Sequence, residues 1–180
     1  MIVKSLEIDK LVTERLLLIP FTTEICRNLL NDDYRDLDIL SLKKGISWPD
    51  DDVIETLPKI LFNLSKVENP TGYESWMIIK RDTSEIIGDL GFKGFDYNDG
   101  SIDIGYGIIK EERRKGYAEE AVKMIVKWAF SNIIVKAITA NCLNDNQDSI
   151  NLLTKLNFVE LRLENGMKYW NLINCKSKNT

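Results

Sequence analysis

The 180-residue chain carries a net charge of −4, with 44% apolar and 29% charged residues. That balance fits one folded domain burying about 70% of its unfolded surface, and it excludes a disordered, collagen-like or disulfide-scaffold class. No apolar run approaches the ~18 residues of a membrane span, and the opening MIVKSLEIDKL lacks the continuous hydrophobic region of a secretory signal. The expectation is a single domain over residues 1–180, ordered over about 13–174 with a frayed tail over 175–180, at a cytoplasmic address with no membrane partner.

In chain order, TERLLLI (13–19) reads as a strand stopped by Pro20, and residues 22–64 read as two or more helices. Pro49 ends whatever precedes it, and Asp50, Asp51 and Asp52 cap and favour the start of the next helix. A turn over residues 69–72 closes this region. Then ESWMIIK, EIIGDLGFKGF and SIDIGYGIIK, separated by the turn formers RDTS and DYNDG, predict an antiparallel meander. From Gly116 to Ser131 the period becomes helical, with Ala118, Ala121, Val122, Ile125, Trp128 and Ala129 on one face. A strand KAITANCL follows, then a helix over about 147–156 with Asn146 as its N-cap and Asn157 as its left-handed end. FVELRLE, Asn165-Gly166 and MKYWNLI give a hairpin with a type I′ turn dipeptide. Strand, helix, strand between Ser101 and Leu143 implies a parallel crossover inside an otherwise antiparallel sheet, so the fold class is α+β, a mixed sandwich with helices on both faces.

The chemistry available is restricted. The chain has no histidine, so imidazole serves neither as base nor as metal ligand. Cys26, Cys142 and Cys175 are far apart and form no C-x-x-C pair, which argues against a disulfide framework and a zinc site. Acid and base work falls to carboxylates, hydroxyls and water. The acidic balance disfavours a nucleic-acid partner, yet EERRKGYAEEA (111–121) gathers Arg113, Arg114 and Lys115 before Gly116 at a helix start. Helix N-termini expose unpaired N–H groups, and glycine permits close approach, so this loop suits a phosphate; the competing reading is a solvated charged face. No G-x-x-x-x-G-K-[S/T] or G-x-G-x-x-G run is present, which sets aside nucleoside triphosphates and dinucleotides.

TERLLL, IIGDLGF, IDIGYGI, RRKGYAEEA and NQDSINLLTKLNF together resemble the GNAT superfamily of N-acetyltransferases, and within it the group related to the ribosomal-protein N-terminal acetyltransferases. The resemblance implies acetyl-CoA as cosubstrate, with no metal. By it, the N–H groups of Arg113, Arg114, Lys115, Gly116, Tyr117 and Ala118 hold the pyrophosphate, Ile108 and Ile109 hydrogen-bond the pantetheine arm, and Asn146 touches the same arm. Ser149 matches the Asn-x-x-Ser position and would protonate the leaving thiolate; a serine in the first turn of a helix also reads as a cap. Gly107 departs from the tryptophan that this group often places after GY, which implies a wider acyl or acceptor pocket.

Acyl transfer to an amine requires a neutral nucleophile, stabilised negative charge on the carbonyl oxygen and a proton for the thiolate. Gly105 and Gly107 mark either a bulge that aims an N–H at the thioester or close packing on the next strand. Asp103 and Glu164 are the candidate bases, each also readable as an exposed strand carboxylate. Residues 31–56 hold eight carboxylates against three cations, a surface that could draw a cationic amine or serve solubility and capping. Trp48 and Tyr34 are candidates for the acceptor pocket or the core. The reading is an N-acetyltransferase acting on a small amine or a peptide N-terminus, the alternatives being an acyl-CoA sensor and a plain interaction domain. Homodimers are common in the family it resembles, and an isologous interface leaves no mark in one sequence.

Overall fold

The computed structural model describes Leu6 and residues 9–175; the expected tail lies almost wholly outside them. Its strands are β1 (Leu11–Val12), β2 (Leu16–Pro20), β3 (Lys43–Lys44), β4 (Ser75–Lys80), β5 (Glu85–Phe95), β6 (Ser101–Ile108), β7 (Ala137–Leu143), β8 (Val159–Glu164) and β9 (Met167–Ile173). The α-helices are α1 (Thr23–Leu30), α2 (Arg35–Ile39), α3 (Asp51–Leu64), α4 (Tyr117–Ala129) and α5 (Gln147–Lys155). One sheet of order β1-β2-β4-β5-β6-β7-β9-β8 results. It is antiparallel except for β6 with β7, joined through α4, and a two-residue bridge of β3 to β5 that sequence patterning did not reveal. Asn165 and Gly166, at φ 50 and 76, make the β8–β9 turn in the left-handed region that Asn-Gly tolerates.

Alternation along the strands divides the core between the two faces. Leu18, Ile78 and Leu90 point to one face, which α4 covers; Trp76 meets Trp128 of α4 there with ring centroids 5.6 Å apart. Met77 and Ile79 face the other side, where α3 lies on β5 with α1 behind it. Thr22 caps α1 by accepting the Ile25 N–H at 3.2 Å, and Asp50 caps α3 by accepting the Val53 N–H at 3.0 Å, so the aspartates after Pro49 do begin a helix. Pairing of β6 with β7 ends at Ile104 and Ala140 while both strands run on, to Ile108 and Leu143. The sheet therefore splits over its last few residues, and that split places the site.

Candidate active site

Two cavities meet at the split. One, of about 540 Å³, runs from the start of α4 to α5 and is lined by Arg113, Arg114, Gly116, Ala118, Asn146 and Ser149 among others. The other, of about 890 Å³, lies between α3 and the β5–β6 ladder. Tyr106, Gly107 and Ile108 line both.

The first cavity has the character of an anion site where it meets the start of α4. Arg114 and Gly116 have φ of 61 and 83, a pair of left-handed turns of the kind that builds a main-chain anion concavity. Gly116 is the N-cap of α4 and brings no side chain to the amides of the first turn, so those donors are left for a ligand. The four glutamates around the basic loop are all engaged. Glu111 accepts from the Ser47 hydroxyl at 2.7 Å, Glu112 from Lys80 at 3.0 Å and Lys115 at 2.9 Å, Glu119 from Lys155 at 2.7 Å, and Glu120 from Arg15 Nε at 2.7 Å. Arg114 stays 85% exposed, with Asp148 at 3.9 Å as its ion-pair neighbour among the described residues. The acidic residues thus act as struts for the loop and leave Arg114 and the α4 terminus open. Lys115 is itself a strut and does not line the groove.

Main-chain direction decides the pantetheine wall. The Ile109 N–H is bound to the Ile87 carbonyl at 2.9 Å; by antiparallel alternation Gly105 and Gly107 also turn their peptide groups to β5, while Tyr106 and Ile108 turn theirs toward the divergent β7. The Ile108 carbonyl is occupied by Arg113 Nε at 2.7 Å. This leaves the Tyr106 and Ile108 amides in the split. Ile109 lines the second cavity instead, with its amide committed. The expected bulge at Gly105 and Gly107 is absent: the β5–β6 register is regular from Gly88–Ile108 to Phe92–Ile104. Nor are these glycines packed on a neighbour, since a Cβ at either would meet nothing within 4 Å. They are the floor of the larger cavity.

Asp89 stands on that floor, opposite Gly107 in the ladder. Among the described residues nothing donates to its carboxylate, and burial, reinforced by Asp50 and Asp52, pushes its pKa up to about 7. The signal in the sequence was a lone acid inside the apolar run EIIGDLGF, and it went unread. Asp103, on the same face, is instead held by Lys93, by the Thr139 hydroxyl at 3.0 Å and by Asn141 at 3.5 Å, away from the cavity lining. Glu164 pairs with Arg162 at 3.2 Å on the exposed β8 and lines neither cavity.

Ser149 faces the junction. Its own N–H is bound by the Asn146 side chain at 3.1 Å, so Asn146 is the cap and the serine hydroxyl is spared that task. Its neighbour is the Tyr106 phenol, whose pKa burial raises above 10 and the serine partly lowers. Tyr106 is a second residue that sequence reasoning passed over. Of the acidic run, Asp33 pairs with Arg35 at 2.5 Å and Asp36 accepts from Asn28 at 2.8 Å, whereas Asp50, Asp52 and Glu55 line the larger cavity. Trp48 is buried, Tyr34 lies under Lys44 at 3.9 Å, and neither lines it. Among the described residues no group of three or more acids and thiols could hold a metal, and no helix is long and apolar enough to cross a membrane.

A split sheet with a helix start open to an anion on one side and an open cleft on the other fits a transferase of the acyl-CoA-dependent class. Residues 15–159 match the acetyltransferase (GNAT) domain model, and the chain belongs to that family. It is similar to the uncharacterized N-acetyltransferase YjdG of Bacillus subtilis (strain 168), 36% identical over 138 residues that cover 77% of this chain and 82% of the relative. In fold it is similar to a putative ribosomal-protein-serine acetyltransferase from Vibrio cholerae (TM-score 0.64, 18% identity, covering 94% and 99% of the two chains). It is also similar to the microcin C7 self-immunity acetyltransferase MccE, solved with acetyl-CoA and AMP (TM-score 0.60, 15% identity, covering 89% and 93%). The protein is an N-acetyltransferase, and acetyl-CoA is the cosubstrate of its family.

Proposed function

We propose that the chain acetylates a primary amine by direct attack, with the acceptor in the α3 cavity and acetyl-CoA in the α4–α5 groove. The observation that carries this reading is the meeting of the two cavities at Tyr106, Gly107 and Ile108, with Asp89 on one side and Ser149 on the other. The residues present fit the cosubstrate. Gly116, Tyr117 and Ala118 would take the pyrophosphate on main-chain donors with Arg113 and Arg114 beside it, and Asn146 and the Ile108 amide would border the pantetheine arm. Bound there, acetyl-CoA supplies an activated acetyl group on a thiol leaving group.

Asp89 is the base: a carboxyl that titrates near neutrality can accept a proton from an ammonium at its side while remaining mostly ionised above pH 7. The Tyr106 amide, turned into the split, supports negative charge on the acetyl oxygen. Ser149, with the protonated Tyr106 phenol against it, returns a proton to the departing sulfur. Asp103 and Glu164 have no part in this scheme.

The test is release of free thiol from acetyl-CoA with a panel of amines and short peptides, together with calorimetric titration of coenzyme A. Thiol release that depends on both amine and Asp89 is expected. Absence of coenzyme A binding, or binding with no amine-dependent release, overturns the proposal.

A further inference from the structure

The larger cavity is electrically polarised along its length. Its lining holds four carboxylates (Asp50, Asp52, Glu55 and Asp89) and four cations (Lys59, Lys66, Lys93 and Arg113), so it carries no net charge despite the acidic run that feeds it. Arg113 stands at the acidic end, with its Nε bound to the Ile108 carbonyl at 2.7 Å and its guanidinium 3.9 Å from Asp52; the other charges are sorted. Along α3 the lining acids occupy the N-cap and first turns, and the lysines follow, Lys59 inside the helix and Lys66 just past its C-cap Ser65. At 1.5 Å per residue, Lys59 is about 10 Å from Asp52 along the helix axis. Along β5 the order repeats: Asp89 precedes Lys93 by four residues, about 14 Å. The acidic end is the one that touches the acetyl groove, since Asp52 lines both cavities.

The two ends also differ in what already satisfies them. Asp89 has no partner among the described residues. At the far end Lys59 has none either, Lys66 makes only a 3.3 Å hydrogen bond to Asn63 and lies over the Phe62 ring at 4.2 Å, and Lys93 is shared with Asp103. A polycation laid along this cavity would place its second charge among lysines. An amine with an anion at its other end would meet opposite charge at both ends.

We infer that the acceptor is amphoteric: a primary amine whose nitrogen sits by Asp89 and which bears a carboxylate or phosphate about 10–14 Å away, held by Lys59 and Lys93 with Lys66 beyond them. This rests on the cavity being the acceptor site, as proposed above. It differs from the simple cationic amine that the acidic surface of residues 31–56 could draw.

Two matched series test it, each read as kcat/KM for thiol release. Pentapeptide amides with a free N-terminus carry Glu, Gln or Lys at the fourth residue, and 8-aminooctyl phosphate is set against 1,8-diaminooctane. Preference for Glu over Lys by roughly tenfold or more, with Gln between, is expected, as is preference for the phosphate over the diamine. A gain confined to one series says whether a peptide or a small amine is the source of the anion. The exposed pair Lys59→Glu and Lys66→Glu, checked for an unchanged melting temperature, is expected to reverse the order. Equal rates across both series, faster turnover of the Lys peptide and the diamine, or an unaltered order in the double variant overturns the amphoteric acceptor and leaves the acetyltransferase site standing. No amine-dependent turnover with any probe, despite coenzyme A binding, overturns both.

Discussion

Asp89 and Gly107 are cross-strand partners in the β5–β6 ladder, and the missing side chain of the glycine is what opens the space above the aspartate. A Cβ at Gly107 would meet nothing within 4 Å, whereas one at Gly88 would lie 2.1 Å from the Gly107 carbonyl oxygen. The two glycines therefore answer different needs. Gly107→Ala is expected to fold and to acetylate within about threefold of the parent. Gly107→Trp is expected to keep its melting temperature within a few degrees while losing roughly tenfold or more in kcat/KM toward bulky acceptors. Gly88→Ala, with backbone in the way, is expected to cost about 2–3 kcal/mol of stability in denaturant titration.

Asp89 makes activity and stability respond to pH in opposite senses. Its pKa lies near 7 in the folded chain against an ordinary value of 3.8. Between about pH 4 and 7 the native state therefore keeps a proton that the unfolded state has released. Stability contributed by the protonated carboxyl is then lost as pH rises through that window. The base is ionised only at the top of the same window, so kcat/KM is expected to rise tenfold per pH unit below about 7 and to level off above it. Asp89→Asn is expected to abolish that acid limb and to lower kcat/KM by roughly 10²–10⁴. At pH 8 it is expected to gain roughly 2–4 kcal/mol in denaturant melts, an upper range because the carboxyl opens on a wet cavity. A limb that survives in the variant assigns the titration to another group.

The order of elements was legible because its signals are local. Alternation in EIIGDLGF and SIDIGYGI, the 3.6 period after Gly116, Asn146 and Asp50 as caps, and Asn165-Gly166 each report on a few neighbouring residues, and each appears where the pattern put it. The groove around Gly116 was legible for the same reason. The proposed base was not, because which carboxylate faces the cleft depends on which strands become neighbours. Asp89 and Asp103 look alike in sequence, but pairing puts Gly107 across from Asp89 and Lys93 within reach of Asp103. Tyr106 was hidden by the point where β6 leaves β7, a feature no single strand encodes.

Arg15 holds the anion loop from outside it. Its guanidinium bonds Glu120 of α4 at 2.7 Å and the Lys115 carbonyl at 2.9 Å, and lies 4.6 Å over the Tyr117 ring. These contacts fix the residues on both sides of Gly116, so their effect falls on the geometry of the amides there. Arg15→Ala is expected to weaken coenzyme A binding about tenfold by calorimetry while costing only about 1 kcal/mol in stability, since the side chain is 44% exposed. Arg15→Lys is expected to behave similarly, because one ammonium lacks the planar fork that reaches both partners. Unchanged affinity in both variants would remove Arg15 from the binding apparatus.

The proposed scheme passes one proton through Ser149 and Tyr106, whose side chains are hydrogen-bonded, and their variants test it. An alcohol alone is a weak acid toward a thiolate; the phenol beside it keeps its proton through neutral pH because burial raises its pKa above 10. If the serine hands on a proton that the tyrosine replaces, loss of either breaks the same step. Ser149→Ala and Tyr106→Phe are each expected to lower kcat by roughly 10–100-fold with little change in KM, and the double variant to be no slower than the worse single one. Independent contributions would instead multiply. Coenzyme A affinity provides the control: Asn146, which caps α5 in place of the serine, is intact in all three, so binding within about threefold of the parent is expected. A multiplicative loss in kcat would separate the two hydroxyls and remove the relay between them, whereas an unchanged kcat in Tyr106→Phe would leave Tyr106 acting through its amide rather than its phenol.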